Sequence, residues 1–357
     1  MYSVVLTTGG TGGHVFPALA IAEELRLRTP DIKLLFLGSC GGAEEKLVRQ
    51  AGIAFEGLPV RGLMGRGIKA VGAALRMAGA VGTAVRILKN FQPQIVVGFG
   101  GYAAVAPMVA AYFLGIPGVL HEQNAIAGTG NRLLAKFARQ VCLSLPQTEG
   151  FPQEKCTLTG NPVRAAINVV GLCERQWATR HLLVTGGSQG AHTINMFMLE
   201  HLQDFRDAGF EIRHQTGVAE EEKIRTAYVA AGYAPECVSA FIDDMAAAYT
   251  WADLALCRAG ASTVAELCAA GVPSVLVPFP YAIHDHQMKN AAVLERCGAA
   301  RLFREDALAG QMVVDALIEL MAQPRMRAAM SKAALSASLR DAAGRVVDVL
   351  EDICGNA

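Results

Sequence analysis

Two glycine-rich loops, one in each half of the chain, constrain the fold more than any other feature of this sequence. Residues 9–14 (Gly-Gly-Thr-Gly-Gly-His) follow the apolar run 4–6, and residues 186–191 (Gly-Gly-Ser-Gln-Gly-Ala) follow the apolar run 182–184. Both lead into an apolar stretch of helical periodicity. A glycine-rich turn between a strand and a helix presents backbone N–H groups at the positive end of the helix dipole, where diphosphates bind. The pair predicts two stacked nucleotide-binding-type domains with a ligand between them.

Short β-branched runs alternate with helix-period segments along the whole chain, which is the signature of doubly wound parallel sheets. Strands are predicted at residues 3–7, 33–37, 55–58, 95–97, 118–121 and 140–143, and again at 181–185, 211–215, 238–241, 254–257 and 274–278. Predicted helices include residues 17–28, with Pro17 in the first position, 43–51, 219–231, 262–270 and 286–297. The sequence therefore predicts an α/β chain of two Rossmann-like domains facing a cleft. They span residues 1–163 and 164–340, with a final helix near 341–357 that packs back on the first.

Composition excludes several classes of protein. The 32 basic and 32 acidic residues give a net charge of +0, so no overall field favours nucleic acid, and the 52% hydrophobic content fits buried parallel sheets. Nine cysteines without a C-x-x-C pair indicate reduced thiols rather than a disulfide framework. The N-terminus lacks the basic region of a signal peptide. The uncharged stretch 90–120 is broken by prolines and glycines into strand, loop, helix and strand, so no transmembrane segment is expected.

Polar side chains gather where predicted strands of the first half end. His14 closes the first glycine loop, where it either faces a ligand or caps the helix. Residues 121–124 (His-Glu-Gln-Asn) either line a site or satisfy loop backbone. Arg164 follows a rigid Asn-Pro turn, as a surface charge or as a contact for an anion. The Gly100-Gly101 pair is either a further anion site or a tight turn.

The second half carries a small-residue loop that leads from a strand into a helix at residues 258–266. Glu266, in the first turns of that helix, can accept hydrogen bonds from the vicinal hydroxyls of a ribose, or can serve as a helix-dipole glutamate on the surface. His284, Asp285 and His286 lack metal-ligand spacing, and no Asp-x-Asp pair occurs, so no metal is expected at a bound diphosphate. Helix dipoles, backbone amides and Arg164 would carry its charge instead.

Residues 57–121 contain no acidic residue, and the basic residues of this stretch stand among apolar ones. They are Arg61, Arg66, Lys69, Arg76, Arg86 and Lys89. Two interpretations are open: a surface for an anionic membrane, or a core-facing helix with solvated arginines.

Five segments together resemble the MurG family of bacterial N-acetylglucosaminyltransferases, which convert lipid I to lipid II in peptidoglycan synthesis. They are residues 9–17, 121–124, 160–164, 186–191 and 241–245, and the resemblance continues in order and spacing to about Asn290. It implies a GT-B fold, UDP-N-acetylglucosamine as donor bound mainly by the second domain, and lipid I as acceptor offered to the first. It also implies inversion at the anomeric carbon without a required metal or other cofactor. The implied location is peripheral, on the cytoplasmic face of the inner membrane, with cell-wall synthesis and division proteins as further partners.

The resemblance also implies a set of donor contacts. They are Thr11, Gly12, Gly13, Asn124, Arg164, Ser188, Ile242, Ala261, Ser262, Thr263, Val264, Ala265, Glu266 and Gln287. The family often has Gln at the position of His286. We predict His14 as the catalytic base, because an imidazole side chain titrates near working pH, with Glu122 as an alternative base or orienter. The predicted membrane surface comprises Arg61, Arg66, Lys69 and Arg76.

Other functions stay open at this point. They are another GT-B glycosyltransferase, a sugar-nucleotide epimerase of similar fold, and a non-catalytic nucleotide-sugar-binding module. NAD binding is disfavoured, because the first loop is not G-x-G-x-x-G and no acidic residue closes the second strand at residues 38–40. A binding module would keep Glu266 and Ser188 but would not need His14.

Overall fold

The structure is a computed structural model that describes residues 1–9, 12–42, 44–60, 68–146, 148–187, 189–282 and 285–355, without the side chains of 68–75. The chain divides into two compact units. The first unit comprises Met1–Arg164 and Asp341–Ala357, and the second comprises Ala165–Arg340.

Strands and helices alternate in both units. The strands are β1 (Ser3–Thr7), β2 (Lys33–Ser39), β3 (Ala54–Leu58), β4 (Ile95–Gly98), β5 (Gly118–Glu122), β6 (Gln140–Leu143), β7 (Cys156–Leu158), β8 (His181–Thr185), β9 (Glu211–Gln215), β10 (Val238–Ser239), β11 (Leu254–Cys257), β12 (Ser274–Leu276) and β13 (Ala300–Leu302). The helices are α1 (Gly12–Arg28), α2 (Glu44–Gln50), α3 (Ile68–Phe91), α4 (Val105–Phe113), α5 (Thr129–Leu134), α6 (Ala165–Val170), α7 (His192–Glu200), α8 (Leu202–Asp207), α9 (Glu221–Ala230), α10 (Met245–Trp251), α11 (Ala261–Ala270), α12 (His286–Arg296), α13 (Met312–Ala322), α14 (Pro324–Ala337) and α15 (Ala342–Gly355).

Each unit is built on one parallel sheet that reverses its strand order once. The seven-stranded sheet of the first unit runs β3-β2-β1-β4-β5-β6-β7, and the six-stranded sheet of the second runs β10-β9-β8-β11-β12-β13. The order reverses between β1 and β4 and between β8 and β11. In open α/β sheets the ligand crevice lies at this switch point, outside the carboxyl ends of the strands. The predicted doubly wound α/β fold is confirmed.

The central strands of the first unit are buried on both faces, because helices cover each side. Val5 of β1 packs with Leu88 of α3 and Met108 of α4. On the opposite face, Val4 packs with Ile21 of α1 and Leu350 of α15. Alternate residues of one strand thus pack against two different helical layers. Both sets must be apolar, so the strands are continuous apolar runs in the sequence.

Salt bridges also attach α15 to the first unit. The Arg28 guanidinium lies 2.6 Å from the Asp348 carboxylate and 3.0 Å from that of Glu351. The C-terminal helix therefore lies beside α1 in the layer that covers this face of the sheet.

Several predicted boundaries are wrong in detail. Helix α1 begins at Gly12 rather than at Pro17. Proline has no backbone N–H, so a helix that starts before Pro17 lacks one hydrogen bond at that position and can still continue through it. The three-residue strands β7 and β13 were not predicted, because such short edge strands show no readable periodicity. The division of residues 90–120 into β4, a 3₁₀ turn at Tyr102–Ala104, α4 and β5 matches the prediction. None of the helices in the described part of the chain has the length and apolarity needed to cross a membrane.

Candidate functional site

In the first unit, the loops after β1 and β4 meet closely at the switch point. Gly101 has a φ of +76°, and a Cβ added there would lie 2.2 Å from the carbonyl oxygen of Gly9. The Thr8 hydroxyl donates to the carbonyl of Gly100 at 2.9 Å. The second glycine pair is therefore a turn that lets the two loops approach, which favours the tight-turn interpretation over a separate anion site.

His14 lies in the first turn of α1 and contacts a residue from the end of β5. Its Nδ1 atom is 3.0 Å from Oε1 of Gln123. Gln123 is 2% exposed, whereas His14 is half-buried. The side chain of His14 is therefore held on one nitrogen by a buried amide at the carboxyl edge of the sheet.

His121 continues this chain of contacts into the core. Its Nδ1 is 3.1 Å from Nε2 of Gln123, and its Nε2 is 3.0 Å from the carbonyl oxygen of Gly160. The ring is fully buried, and burial lowers the pKa of His121 to about 4. His121 is therefore neutral at neutral pH.

Glu122 is buried and organises the loop that follows β5. Its Oε1 accepts from the backbone N–H of Asn124 at 3.0 Å and from Nδ2 of Asn124 at 3.1 Å. Its Oε2 accepts from the N–H of Gly128 at 3.1 Å and from Nδ2 of Asn131 at 2.9 Å. The carboxylate thus accepts four hydrogen bonds, two of them from Asn124. This arrangement suits a residue that orients the Asn124 side chain.

Arg164, the last residue of the first unit, is stacked on an aromatic ring of α1. Its guanidinium carbon lies 4.7 Å from the centroid of the Phe16 ring. Cation–π stacking and partial burial restrict the guanidinium, which then needs less ordering to contact an anion.

In the second unit, the glycine loop after β8 is fixed against the end of β9. The Gln215 amide donates to the carbonyl of Gly187 at 3.0 Å. Gly190 has a φ of +76°, and a Cβ there would lie 2.0 Å from the carbonyl oxygen of Thr216. Only glycine fits this approach, and the loop leads directly into the N-terminus of α7.

Helix α11 begins beside this loop, across the switch point from β8. Ala261, Ser262 and Thr263 form its half-buried first turn after Gly260. Glu266, one turn further, is 7% exposed, and its Oε2 accepts a hydrogen bond from the hydroxyl of Tyr249 at 3.0 Å. A buried, oriented carboxylate is not a surface helix-dipole glutamate, so that interpretation of Glu266 is wrong.

Three further residues stand in segments that follow strands of this sheet. Ile242 is half-buried after β10, in a groove that it lines with Phe241 and Trp251. The Gln287 side chain accepts from the backbone N–H of Phe279 at 2.9 Å. Arg258 donates to the carbonyls of Val277 and Pro278 and pairs with Glu305, so it fixes the loop after β12.

The structure brings the predicted residues together within each unit. His14, Gly12, Gly13 and Asn124 lie at the switch point of the first unit, and residues 261–266 lie at that of the second. Thr11, Ser188, Arg61 and Arg66 lie outside the described residues, as does the side chain of Lys69.

Three residues without a predicted role of their own contact predicted site residues. They are Gln123, Tyr249 and Phe16. Gln123 is part of the motif at residues 121–124, but its partners His14 and Phe99 are far from it in sequence. Tyr249 and Phe16 carried no signal, because an aromatic residue at helical spacing is usually a core residue.

The described residues hold no group of three or more His, Cys, Asp or Glu side chains placed to bind a metal ion. His284 lies outside them.

Comparison with known proteins identifies both halves of the chain. Residues 4–143 match the glycosyltransferase family 28 N-terminal domain, and residues 181–346 match the glycosyltransferase family 28 C-terminal domain. A curated protein of Nitratidesulfovibrio vulgaris, "UDP-N-acetylglucosamine--N-acetylmuramyl-(pentapeptide) pyrophosphoryl-undecaprenol N-acetylglucosamine transferase", is 49% identical, over 99% of this chain and 97% of its own length.

Solved structures agree with this relationship. The crystal structure of Acinetobacter baumannii MurG superposes with a TM-score of 0.77 at 32% identity, covering 99% of this chain and 100% of that one. A putative UDP-N-acetylglucosamine 2-epimerase from Listeria monocytogenes gives a TM-score of 0.71 over 99% of this chain and 97% of that one. At 13% identity the epimerase shares the fold alone. The two-sheet architecture is that of the GT-B class.

Proposed function

The chain belongs to the MurG family of UDP-N-acetylglucosamine-dependent glycosyltransferases, and from that premise we propose how its residues carry out the transfer. The donor is UDP-N-acetylglucosamine, the acceptor is the muramyl 4-hydroxyl of lipid I, and the product is lipid II. The catalytic role proposed for His14 is supported most directly by its contact with buried Gln123 at the switch point of the first unit.

His14 is the catalytic base in this proposal. As the 4-hydroxyl oxygen attacks the anomeric carbon, the imidazole takes the hydroxyl proton, and the bond from the anomeric carbon to the UDP oxygen breaks. Glu122 is the less suitable base, because both of its oxygens already accept hydrogen bonds from the loop after β5. We therefore assign Glu122 the role of orienting Asn124 toward the donor sugar.

The leaving UDP develops negative charge that must be stabilised without covalent chemistry. The N-terminus of α11, with Ala261, Ser262 and Thr263, supplies backbone N–H groups and the positive end of the helix dipole. The second glycine loop and Arg164 add further positive potential to the diphosphate in the proposed complex. We propose no metal or other cofactor for this step, because the loop amides and the guanidinium are the chain's own anion-binding groups.

Glu266 is proposed to bind the ribose hydroxyls, with Tyr249 holding the carboxylate in position. We expect Tyr249→Phe to raise the KM for the donor about 5-fold with little change in kcat, because a net hydrogen bond is worth about 1 kcal/mol. Glu266→Ala should raise that KM further. The measurement is steady-state kinetics with varied UDP-N-acetylglucosamine.

Tyr228→Phe is the matched control, since it removes another buried tyrosine hydroxyl of the same unit, one bound to His214. Its donor KM should stay at the wild-type value. If the KM is unchanged in both Tyr249→Phe and Glu266→Ala, Glu266 does not bind the donor.

Sugar transfer itself is tested by incubating the protein with UDP-N-acetylglucosamine and a lipid I analogue. Mass spectrometry should show the acceptor heavier by one N-acetylhexosamine. An unchanged acceptor together with conversion of the donor to its 2-epimer would favour the epimerase instead. Donor binding without any reaction would favour a binding module.

We also propose that the first unit contacts an anionic membrane surface. Arg76 of α3 is exposed, and so are Tyr112 and Phe113 at the end of α4, which packs against α3. Leu133 and Lys136 add an exposed apolar and an exposed basic side chain at and after α5. Exposed aromatic and basic residues on neighbouring helices suit the boundary between lipid headgroups and acyl chains. The cytoplasmic face of the inner membrane is the proposed location.

Charge reversal on this surface should weaken vesicle binding. Arg76→Glu combined with Lys136→Glu is expected to lower the partition coefficient by roughly 30-fold or more, because each basic residue near headgroups contributes about 1 kcal/mol. Sedimentation with phosphatidylglycerol-containing vesicles measures this. Arg325→Glu with Lys332→Glu, on exposed positions of α14, is the charge-matched control. Equal sedimentation of the two double variants would rule out this surface.

A further inference from the structure

We propose that Gln123 and His121 are positioning residues that fix the tautomer of His14, so that its Nε2 carries the lone pair. This inference rests on the proposed role of His14 as the base.

The first fixed point is the carbonyl oxygen of Gly160. A carbonyl can only accept, so Nε2 of His121, 3.0 Å away, must carry a proton. A neutral imidazole has one protonated nitrogen, which leaves Nδ1 of His121 as an acceptor. The complete burial of this ring excludes the doubly protonated form.

The second fixed point is the carbonyl oxygen of Phe99. The Nε2 amide group of Gln123 lies 3.1 Å from that oxygen and 3.1 Å from Nδ1 of His121. Both neighbours accept, as does the carbonyl oxygen of His121 at 3.3 Å, so the group that faces them must be the donating NH₂ and not the amide oxygen. The orientation of the Gln123 amide is therefore fixed, and its Oε1 faces His14.

Oε1 of Gln123 is an acceptor, so the atom it contacts must donate. That atom is Nδ1 of His14, 3.0 Å away, which therefore carries the proton of the neutral ring. The lone pair is left on Nε2. Two backbone carbonyls thus determine, through two buried side chains, which nitrogen of His14 accepts a proton.

The arrangement follows the logic of a base held by a third group, with an amide in place of a carboxylate. An amide selects the tautomer and the ring orientation without adding a charge. When His14 takes the hydroxyl proton on Nε2, its Nδ1–H still donates to Gln123, so the relay needs no rearrangement during the reaction.

The test is the tautomer of His14, read from long-range ¹H–¹⁵N spectra of protein labelled with ¹⁵N-histidine. His14→Gln identifies the His14 signals by their loss. We expect wild-type protein to show a protonated Nδ1 and an unprotonated Nε2 at neutral pH. Gln123→Met, which keeps the side-chain length but removes the amide, should shift His14 toward the Nε2–H form.

Kinetics of the same variants distinguish a loss of His14 positioning from a nonspecific effect of the substitution on the fold. Gln123→Met should lower kcat about 10-fold, the effect of losing one orienting hydrogen bond, while the donor KM stays unchanged. Gln140→Met is the matched control, because Gln140 lies on β6 of the same sheet and donates to Thr157 instead. It should keep both the wild-type tautomer and the wild-type kcat.

A His14 protonated on Nε2 in the wild-type protein would overturn the inference. The same tautomer in wild type and Gln123→Met would also overturn it. Neither result depends on turnover. By contrast, near-normal turnover of His14→Ala would refute the proposed base while the spectra still decided whether Gln123 selects the tautomer.

Discussion

Replacing His14 by alanine is expected to lower kcat by roughly 10² to 10⁴, the usual contribution of a general base. The donor KM should change little, because the nucleoside contacts assigned to Glu266 and the first turn of α11 belong to the second unit. Steady-state kinetics with a lipid I analogue measure both parameters. Added imidazole should restore part of the lost turnover, since a small base can replace the missing side chain.

His201→Ala is a suitable control for this experiment. His201 precedes α8 in the second unit and pairs with Asp204. It should turn over at the wild-type rate. A near-normal kcat for His14→Ala, or a loss seen only in the donor KM, would remove His14 as the base.

Gly101→Ala should destabilise the first unit by about 3 kcal/mol or more, because it combines strain with a steric clash. The position has a φ of +76°, and the new Cβ would lie 2.2 Å from the carbonyl oxygen of Gly9. One of the two loops must move, which displaces Gly9 or Gly101 and disturbs the end of the sheet where α1 presents His14. We therefore expect turnover to fall together with stability.

Urea denaturation can follow this loss with two probes. Both tryptophans, Trp177 and Trp251, belong to the second unit, so their fluorescence reports on that unit, whereas circular dichroism reports on both. Gly115→Ala is the matched control, since its φ is +71° but no atom lies within 4 Å of the added Cβ. It should lose only about 1 kcal/mol, from backbone strain alone. Equal losses in the two variants would contradict the close approach of the loops.

The fold was largely predictable because its signals are local. Buried parallel strands such as β1 and β8 are continuous apolar runs, and the glycine loops mark where strands pass into helices. The start of α1 was misplaced because a proline favours a first position without requiring it. The edge strands β7 and β13 were missed because they are three residues long.

The candidate site was predictable only in part, because its contacts are not local. The motif at residues 121–124 pointed to the end of β5, but no spacing rule predicts that Gln123 reaches both His14 and Phe99. For the same reason, the sequence left Glu122 open as base or orienter. Tyr249 was missed because its hydroxyl meets Glu266 only when α10 packs against α11.

The central claim is that His14 assists a single displacement at the anomeric carbon of the donor. A single displacement inverts configuration, so the α-linked sugar of UDP-N-acetylglucosamine must become β-linked in the product. The direct measurement is the ¹H NMR coupling of the anomeric proton in the sugar newly attached to the lipid I analogue. We predict the large coupling of a β-linkage. The small coupling of an α-linkage would contradict the account, because retention requires a different mechanism from direct, base-assisted attack.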